Sequence, residues 1–158
     1  MIKRLALISI LLLFSAIQMV FFVKRAWSPD LVLLFVVYMG IFRDAPEAIA
    51  AGIAAGLIKG WFSFGGQASG IFIFSAVAVI SWLSARLFYR HNPLLHLSMA
   101  AIGYCCVVVF QVFCVNAVND TDVPLMSVLF WSMPSLFITS LLAPPVFYAM
   151  SALGRGDD

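Results

Sequence analysis

Long apolar stretches separated by short polar segments divide this chain into six blocks. The breaks between the blocks contain proline, glycine, asparagine and aspartate, which favour turns and helix starts. Apolar stretches of this length without strict alternation are typical of membrane helices and not of half-exposed strands. The predicted helices cover approximately residues 5–23, 29–42, 45–60, 69–90, 93–116 and 124–152.

The start of the second block carries the clearest helix signal. Ser28 is expected to cap the free amides of the first turn, and Pro29 suits the first helical position. Asp30 follows where the helix dipole favours an anion. The apolar run from residue 31 to residue 40 comes directly afterwards. We therefore expect this helix to begin at a membrane surface, with Asp30 acting mainly as a cap.

Other blocks begin with related signals. Asp44 and Glu47 have the spacing of a capping box, and Asn92-Pro93 combines a cap with a proline at the first helical position. A proline, Pro124, also precedes the sixth block. Because these starts coincide with apolar boundaries, they support the division into helices.

The number of membrane crossings stays open at this stage. The second and third blocks are each short for a hydrocarbon core of about 30 Å. Either they are tilted and tucked among other helices, which gives six crossings, or they form a re-entrant hairpin, which leaves four. Within the sixth block, Pro134 and Pro144-Pro145 are expected to kink or break the helix.

Composition places the chain among integral membrane proteins. Of its 158 residues, 64% are hydrophobic and 10% are charged, whereas soluble domains carry about 25% charged residues. The mean hydropathy is +1.09. We predict a single transmembrane domain over residues 1–158, and the apolar run after Lys3-Arg4 is expected to be a retained first helix instead of a cleaved signal. The scattered basic residues argue against nucleic acid as a partner.

Basic residues indicate the orientation. With six crossings, the positive-inside rule favours a multi-pass protein with both termini in the cytoplasm. The basic residues on the predicted inner side are Lys3, Arg4, Arg43, Arg86, Arg90 and Arg155, and those on the outer side are Lys24, Arg25 and Lys59.

Catalytic and metal-binding signatures are absent from the sequence. His91 and His96 flank the start of the fifth block without further ligands at metal spacing. The cysteines share one apolar segment and form no CxxC pair; they are Cys105, Cys106 and Cys114. No nucleophile motif or phosphate-binding loop occurs. We therefore expect a protein that is not an enzyme and has no metal and no cofactor.

Two glutamines lie within apolar helices. Gln18 and Gln111 each need a hydrogen-bond partner in hydrocarbon, so each is expected to face another helix. The simpler interpretation is contact between helices, and the alternative is a polar lining for a small ligand.

Small residues recur in the third block. Ala48, Gly52, Gly56 and Gly60 are spaced by four, which lets two helix backbones approach closely. This face packs either within the chain or against a partner's membrane helix. The glycine-rich stretch 60–70 follows as a lid or a docking loop, and Lys59 at its edge is expected to reach a lipid headgroup.

The order of these features resembles the bacterial rod shape-determining protein MreD family. The residues that carry the resemblance are Pro29, Asp30, Leu31, Val32, Leu33, Leu34, Tyr38, Gly40, Gly52, Gly56, Leu57 and Gly70. The family commonly has an acidic residue four positions after the glycine that corresponds to Gly56, whereas this chain has Gly60 there, preceded by Lys59.

The resemblance implies an all-α polytopic bundle of about six transmembrane helices in the bacterial inner membrane. It implies a non-enzymatic scaffold that binds the membrane-anchored protein MreC and helps couple the MreB filament to peptidoglycan synthases and cell shape. The family is also similar to the substrate-binding S-components of energy-coupling-factor transporters. A vitamin-type S-component is therefore the alternative function.

Overall fold

The computed structural model describes residues 2–18, 28–61, 66–88, 92–119 and 122–154, which form α-helices and no strand. The predicted all-α class is thus confirmed for the described part of the chain. The helices are α1 (Ile2–Ile17), α2 (Leu31–Phe42), α3 (Ala45–Trp61), α4 (Gly66–Leu87), α5 (Pro93–Asn119) and α6 (Leu125–Gly154).

Three of these helices are long and apolar enough to cross a membrane. Their apolar stretches are Ala68–Leu87, Pro93–Val118 and Leu125–Ala152, with mean hydropathies of 1.9, 2.1 and 1.7. At a rise of about 1.5 Å per residue, even the shortest of the three reaches about 30 Å, the thickness of a hydrocarbon core. The chain therefore has the character of a membrane protein.

Helix α2 is short and lies at the centre of the bundle. It has 12 residues, or about 18 Å of helix, and every residue from Val32 to Ile41 is buried. It packs against each of the other five helices. A helix that is buried on all sides is apolar on all sides, which explains its unbroken run of leucine, valine and phenylalanine. This burial is compatible with both predicted arrangements, and the choice between six and four crossings stays a prediction.

Helix α4 receives the closest packing in the bundle, from α2 and α3. A Cβ atom added at Gly52 would lie 2.8 Å from the carbonyl oxygen of Phe74, and one at Gly56 would lie 2.5 Å from that of Gly70. Gly40 approaches α4 in the same way, with Ser81 Cβ at 2.6 Å. The glycines thus serve contacts within the chain, and α4 covers the face of α3 that contains Gly52 and Gly56.

The predicted cap of α2 is wrong. Helix α2 begins at Leu31 with Asp30 itself as the N-cap, whereas the sequence placed the cap at Ser28 and Pro29 inside the helix. Asp30 is the N-cap because its carboxylate accepts a hydrogen bond from the backbone amide of Leu33. Helix α6 continues through Pro134, Pro144 and Pro145, so these prolines do not break it, and a kink at them stays a prediction.

Several predicted features lie outside the described residues. They are the end of the first helix at 19–23, part of the glycine-rich stretch at 62–65, and the residues Lys24, Arg25, Arg90, His91 and Arg155.

Candidate functional site

Polar side chains from α3, α5 and α6, together with Gln18 just after α1, lie around Asp30 and the start of α2. We call this set the polar cluster, and it consists of Gln18, Asp30, Lys59, Tyr104, Ser135 and Thr139. The sequence nominated Gln18 and Asp30, and the remaining members come from α3, α5 and α6. An apolar bundle with so few polar residues places these six in one region.

Asp30 is the centre of the polar cluster. Its Oδ1 accepts a hydrogen bond of 3.0 Å from the backbone N–H of Leu33, which caps α2. Its Oδ2 forms an ion pair with the Nζ of Lys59. The residue is only 5% exposed, so both carboxylate oxygens are satisfied by groups of the chain itself. The predicted role as a cap is present, together with a second role that the sequence did not reveal.

Lys59 supplies the positive partner from the C-terminal part of α3. Its ammonium also lies 5.3 Å from the centroid of the Phe74 ring, a distance at which a ring face attracts a cation. The side chain is 24% exposed. A charge at this burial needs a partner, and Asp30 is the partner instead of the lipid headgroup expected from the sequence.

The backbone amides at the start of α2 are bonded by two other helices. The N–H of Asp30 donates to Thr139 Oγ1 at 3.0 Å, and the N–H of Val32 donates to Gln18 Oε1 at 3.4 Å. These amides have no partner inside α2 because they belong to its first turn. Gln18 therefore makes a contact between helices. The side chains of Gln18 and Thr139 both help to cap the start of α2.

The polar cluster lies halfway along α6. Thr139 is 14 residues after Leu125 and 15 residues before Gly154. Since Asp30 donates to Thr139, α2 begins level with the middle of a helix long enough to span a membrane. The start of α2 is therefore enclosed by neighbouring helices, while its position relative to a membrane surface stays a prediction. The sequence does not reveal this enclosure, because a capping turn such as that at Asp30 has the same residues whether it is exposed to solvent or covered by neighbouring helices.

A hydrogen bond between α5 and α6 completes the polar cluster. Tyr104 of α5 bonds to the side chain of Ser135 on α6, and Tyr104 lies within electrostatic reach of Asp30. Ser135 precedes Thr139 by four residues, so the two lie on the same face of α6. The cluster thus joins α5 and α6 to the start of α2.

Gln111 lies next to the polar cluster, on the far side of Lys59, and lines two spaces. The first is a small cavity beside Lys59 of about 10 Å³, also lined by Ser69 and Gly70, which has the size of one water molecule. The second is a groove of about 360 Å³ between α5 and α6. Gln111 thus lines open space, and the alternative of a polar lining for a small ligand stays a prediction.

The other residues that carry the resemblance lie in packed positions. Tyr38 packs edge-on against Phe147, with ring centroids 5.7 Å apart. The backbone of Gly60 approaches Gly70, since a Cβ on Gly70 would lie 3.2 Å from the Gly60 Cα. Tyr38 thus lies on α2, and Gly60 and Gly70 lie at the contact between α3 and α4. These positions do not converge on a single cavity.

No group of three or more metal-ligating side chains occurs among the described residues. The three cysteines are free thiols.

The fold of the described residues and the polar cluster define an all-helical protein of membrane character with a partly buried ion pair. Comparisons with protein-family models, curated proteins and solved structures give no match to the chain.

Sequence reasoning missed the ion pair, although a signal for it exists. In a chain with 10% charged residues, an aspartate and a lysine that adjoin apolar helices are candidates for mutual pairing, because an isolated charge is costly there. Lys59 was instead expected to reach a lipid headgroup, although it was assigned to the same outer side as the turn that contains Asp30.

The bond from Asp30 to Thr139 gives a direct test of the polar cluster. We expect Thr139→Val to destabilise the protein by about 1–2 kcal/mol, because the buried amide of Asp30 loses its acceptor. Reversible unfolding in mixed micelles measures this change. Thr139→Ser retains the hydroxyl and is the matched control. Equal stability of the valine and serine variants would contradict a role for this bond.

Proposed function

We propose that this chain is a non-enzymatic scaffold of the bacterial cell-wall elongation complex, as its resemblance to the MreD family implies. It is an inner-membrane protein with six crossings and cytoplasmic termini. It binds an MreC-like membrane-anchored protein and, through it, is linked to the MreB filament and to peptidoglycan synthases.

The residues that carry the resemblance support this proposal by their positions. Asp30 organises the polar cluster. Gly40, Gly52, Gly56 and Gly70 lie where helix backbones touch. A pattern that is used at the contacts between helices is a property of the whole fold, and short motifs matched by chance are not expected to occupy such positions together.

One observation favours a scaffold over the S-component alternative. In many transporters, the N-terminus of a short helix inside the membrane holds an anionic group of the substrate. Here the carboxylate of Asp30 already occupies the N-terminus of α2, and Lys59 neutralises it. Because the chain satisfies its own polar cluster, this position has no need of a ligand.

Helix α6 has the face that we assign to the partner. Only 17% of the most apolar 18-residue stretch of α6 is buried, compared with 33% of the corresponding stretches of α4 and α5. Phe130, Phe137, Leu141 and Tyr148 are each at least 69% exposed. Their spacings of seven, four and seven residues place them in one stripe along the helix. We define these four residues as the α6 stripe, which is suited to a single membrane helix of a partner.

Co-purification tests the proposal. We expect the wild-type chain to co-purify with an MreC-like protein from detergent, and the variant Phe130→Ala/Phe137→Ala/Leu141→Ala to lose most of this binding with little change in stability. Side chains that contact only lipid or a partner contribute little to the fold of the monomer.

The matched control changes exposed phenylalanines elsewhere. Phe72→Ala/Phe113→Ala alters residues that are 67% and 69% exposed on α4 and α5, and it should bind the partner normally. Failure of the wild-type chain to bind an MreC-like protein would contradict the scaffold function. A stoichiometric vitamin-sized molecule in native mass spectra would favour the transporter alternative.

A further inference from the structure

The small cavity beside the ion pair brings polar residues of three helices together. Lys59 and Gly60 line it from α3, Ser69 and Gly70 from α4, and Gln111 from α5. The other side chains of its wall are apolar. A lysine, a serine and a glutamine thus share one confined space in a bundle that is mostly hydrocarbon.

The ammonium group of Lys59 has more donors than the ion pair uses. It carries three N–H groups, and its charge is paired with Oδ2 of Asp30. The ring of Phe74 lies 5.3 Å away, but an aromatic face is only a weak acceptor. Because a partly buried charged group is costly when its donors are unsatisfied, a further oxygen acceptor beside Lys59 would stabilise it.

The size of the cavity restricts what can supply that oxygen. Its volume is about 10 Å³, and one water molecule needs about 10–15 Å³. The backbones around it are in close contact, since a Cβ atom on Gly70 would lie 2.6 Å from the carbonyl oxygen of Gly56 and 3.2 Å from the Cα of Gly60. The cavity therefore cannot widen for a larger ligand unless α3 and α4 separate.

The charge next to the cavity favours a neutral occupant. Asp30 already balances the charge of Lys59, so an anion would leave a net negative charge in a place where charge is costly, and a cation would meet the ammonium. Water both donates and accepts hydrogen bonds. Gln111 and Ser69 can each do the same, and a hydroxyl oxygen still accepts when its hydrogen is already used.

We propose that this cavity binds one ordered water molecule, which accepts a hydrogen bond from Lys59 and bonds to the side chains of Gln111 and Ser69. Three polar partners are the usual number for a buried water. A bridge of this kind is nearly as favourable in enthalpy as a direct hydrogen bond, and it links the ion pair to α4 and α5. The water site does not depend on the scaffold function.

A crystal structure of the full chain, from crystals grown with sodium bromide, tests the identity of the occupant. We expect one density peak within about 3.2 Å of Lys59 Nζ and of the Gln111 amide, without anomalous scattering from bromide. Gln111→Leu should lose the peak because the water loses a partner. Val109→Leu is the matched control, since Val109 is 41% exposed on the same helix and does not line the cavity, and it should keep the peak.

Three crystallographic results would overturn the proposal. They are the absence of a peak in the wild-type cavity, a bromide signal there, and a peak of equal height in Gln111→Leu.

Reversible unfolding in mixed micelles tests the bridge without crystals. Gln111→Leu should raise the unfolded fraction about fivefold in the wild-type chain and less than about twofold in Asp30→Asn/Lys59→Met, because methionine gives the water no donor. The difference between the two backgrounds removes the effects of Gln111 that do not involve Lys59. Equal effects in both backgrounds would rule out a water bridge between these two residues.

Discussion

Replacing Asp30 by asparagine should destabilise this protein by about 3 kcal/mol, one of the largest effects of any single substitution in the bundle. Asparagine is as good an N-cap as aspartate, so the hydrogen bond to Leu33 can be kept while the charge is removed. Lys59 then remains partly buried without its counter-ion. Removing one partner of a buried pair costs about 3–5 kcal/mol, and the 24% exposure of the Lys59 side chain places the value at the lower end.

A second variant tests whether the unpaired charge of Lys59 causes the loss of stability in Asp30→Asn. Asp30→Asn/Lys59→Met should recover much of the lost stability, because a buried ion pair can often be replaced by neutral groups of similar size at little cost. Reversible unfolding in mixed micelles measures both variants. Asp122→Asn is the matched control, since Asp122 is exposed and its substitution should have an effect near zero. If the double variant is as unstable as Asp30→Asn alone, the ion pair is not the cause.

Replacing Gly56 by alanine should separate α3 from α4. A Cβ atom at this position would lie 2.5 Å from the carbonyl oxygen of Gly70 and 2.5 Å from the Cα of Ile71. Backbone atoms cannot move aside as a flexible side chain can, so the helices must part. Overpacking typically costs about 1–3 kcal/mol, and we expect the upper end of that range together with reduced accumulation in membranes.

The control for this substitution is another helical glycine. A Cβ atom at Gly103 would meet Val77 Cγ1 at 3.2 Å and Leu33 Cδ1 at 3.5 Å, and both are side-chain atoms. Alanine also favours the helix by up to about 1 kcal/mol relative to glycine. Gly103→Ala should therefore be nearly neutral or stabilising in the same unfolding assay. Similar losses at Gly56 and Gly103 would show that the close approach of α3 and α4 is not the cause.

The sequence predicts the helices well because apolar length and polar breaks are local properties. The ranges predicted for α2, α3 and α5 begin within two residues of the observed starts. The small residues at Gly52 and Gly56 also indicate close packing, since the absence of a side chain has one main use at that spacing. The spacing does not identify the helix against which this face packs. That α4 is the partner of α3 is known only from the structure.

The polar cluster was much harder to predict. Asp30 and Thr139 are separated by 109 residues, and their contact depends on how α2 and α6 pack. The covered position of the start of α2 was hard to predict for the same reason. A capping aspartate is chemically suited to an exposed position and to a covered position alike. Gln18 was identified from its own need for a partner, whereas Lys59 was expected to reach a lipid headgroup and pairs with Asp30.

The buried start of α2 has a consequence for the order in which the chain is made. At about 5–20 residues per second, the ribosome adds Lys59 within a few seconds of Asp30, since 29 residues separate the two. Thr139 follows Asp30 by 109 residues, which takes roughly 5–20 s at the same rate. During that interval the carboxylate of Asp30 can already be neutralised by Lys59, although its backbone amide still lacks Thr139. The chain thus provides a counter-ion early in synthesis, before the last helix exists to close the bundle.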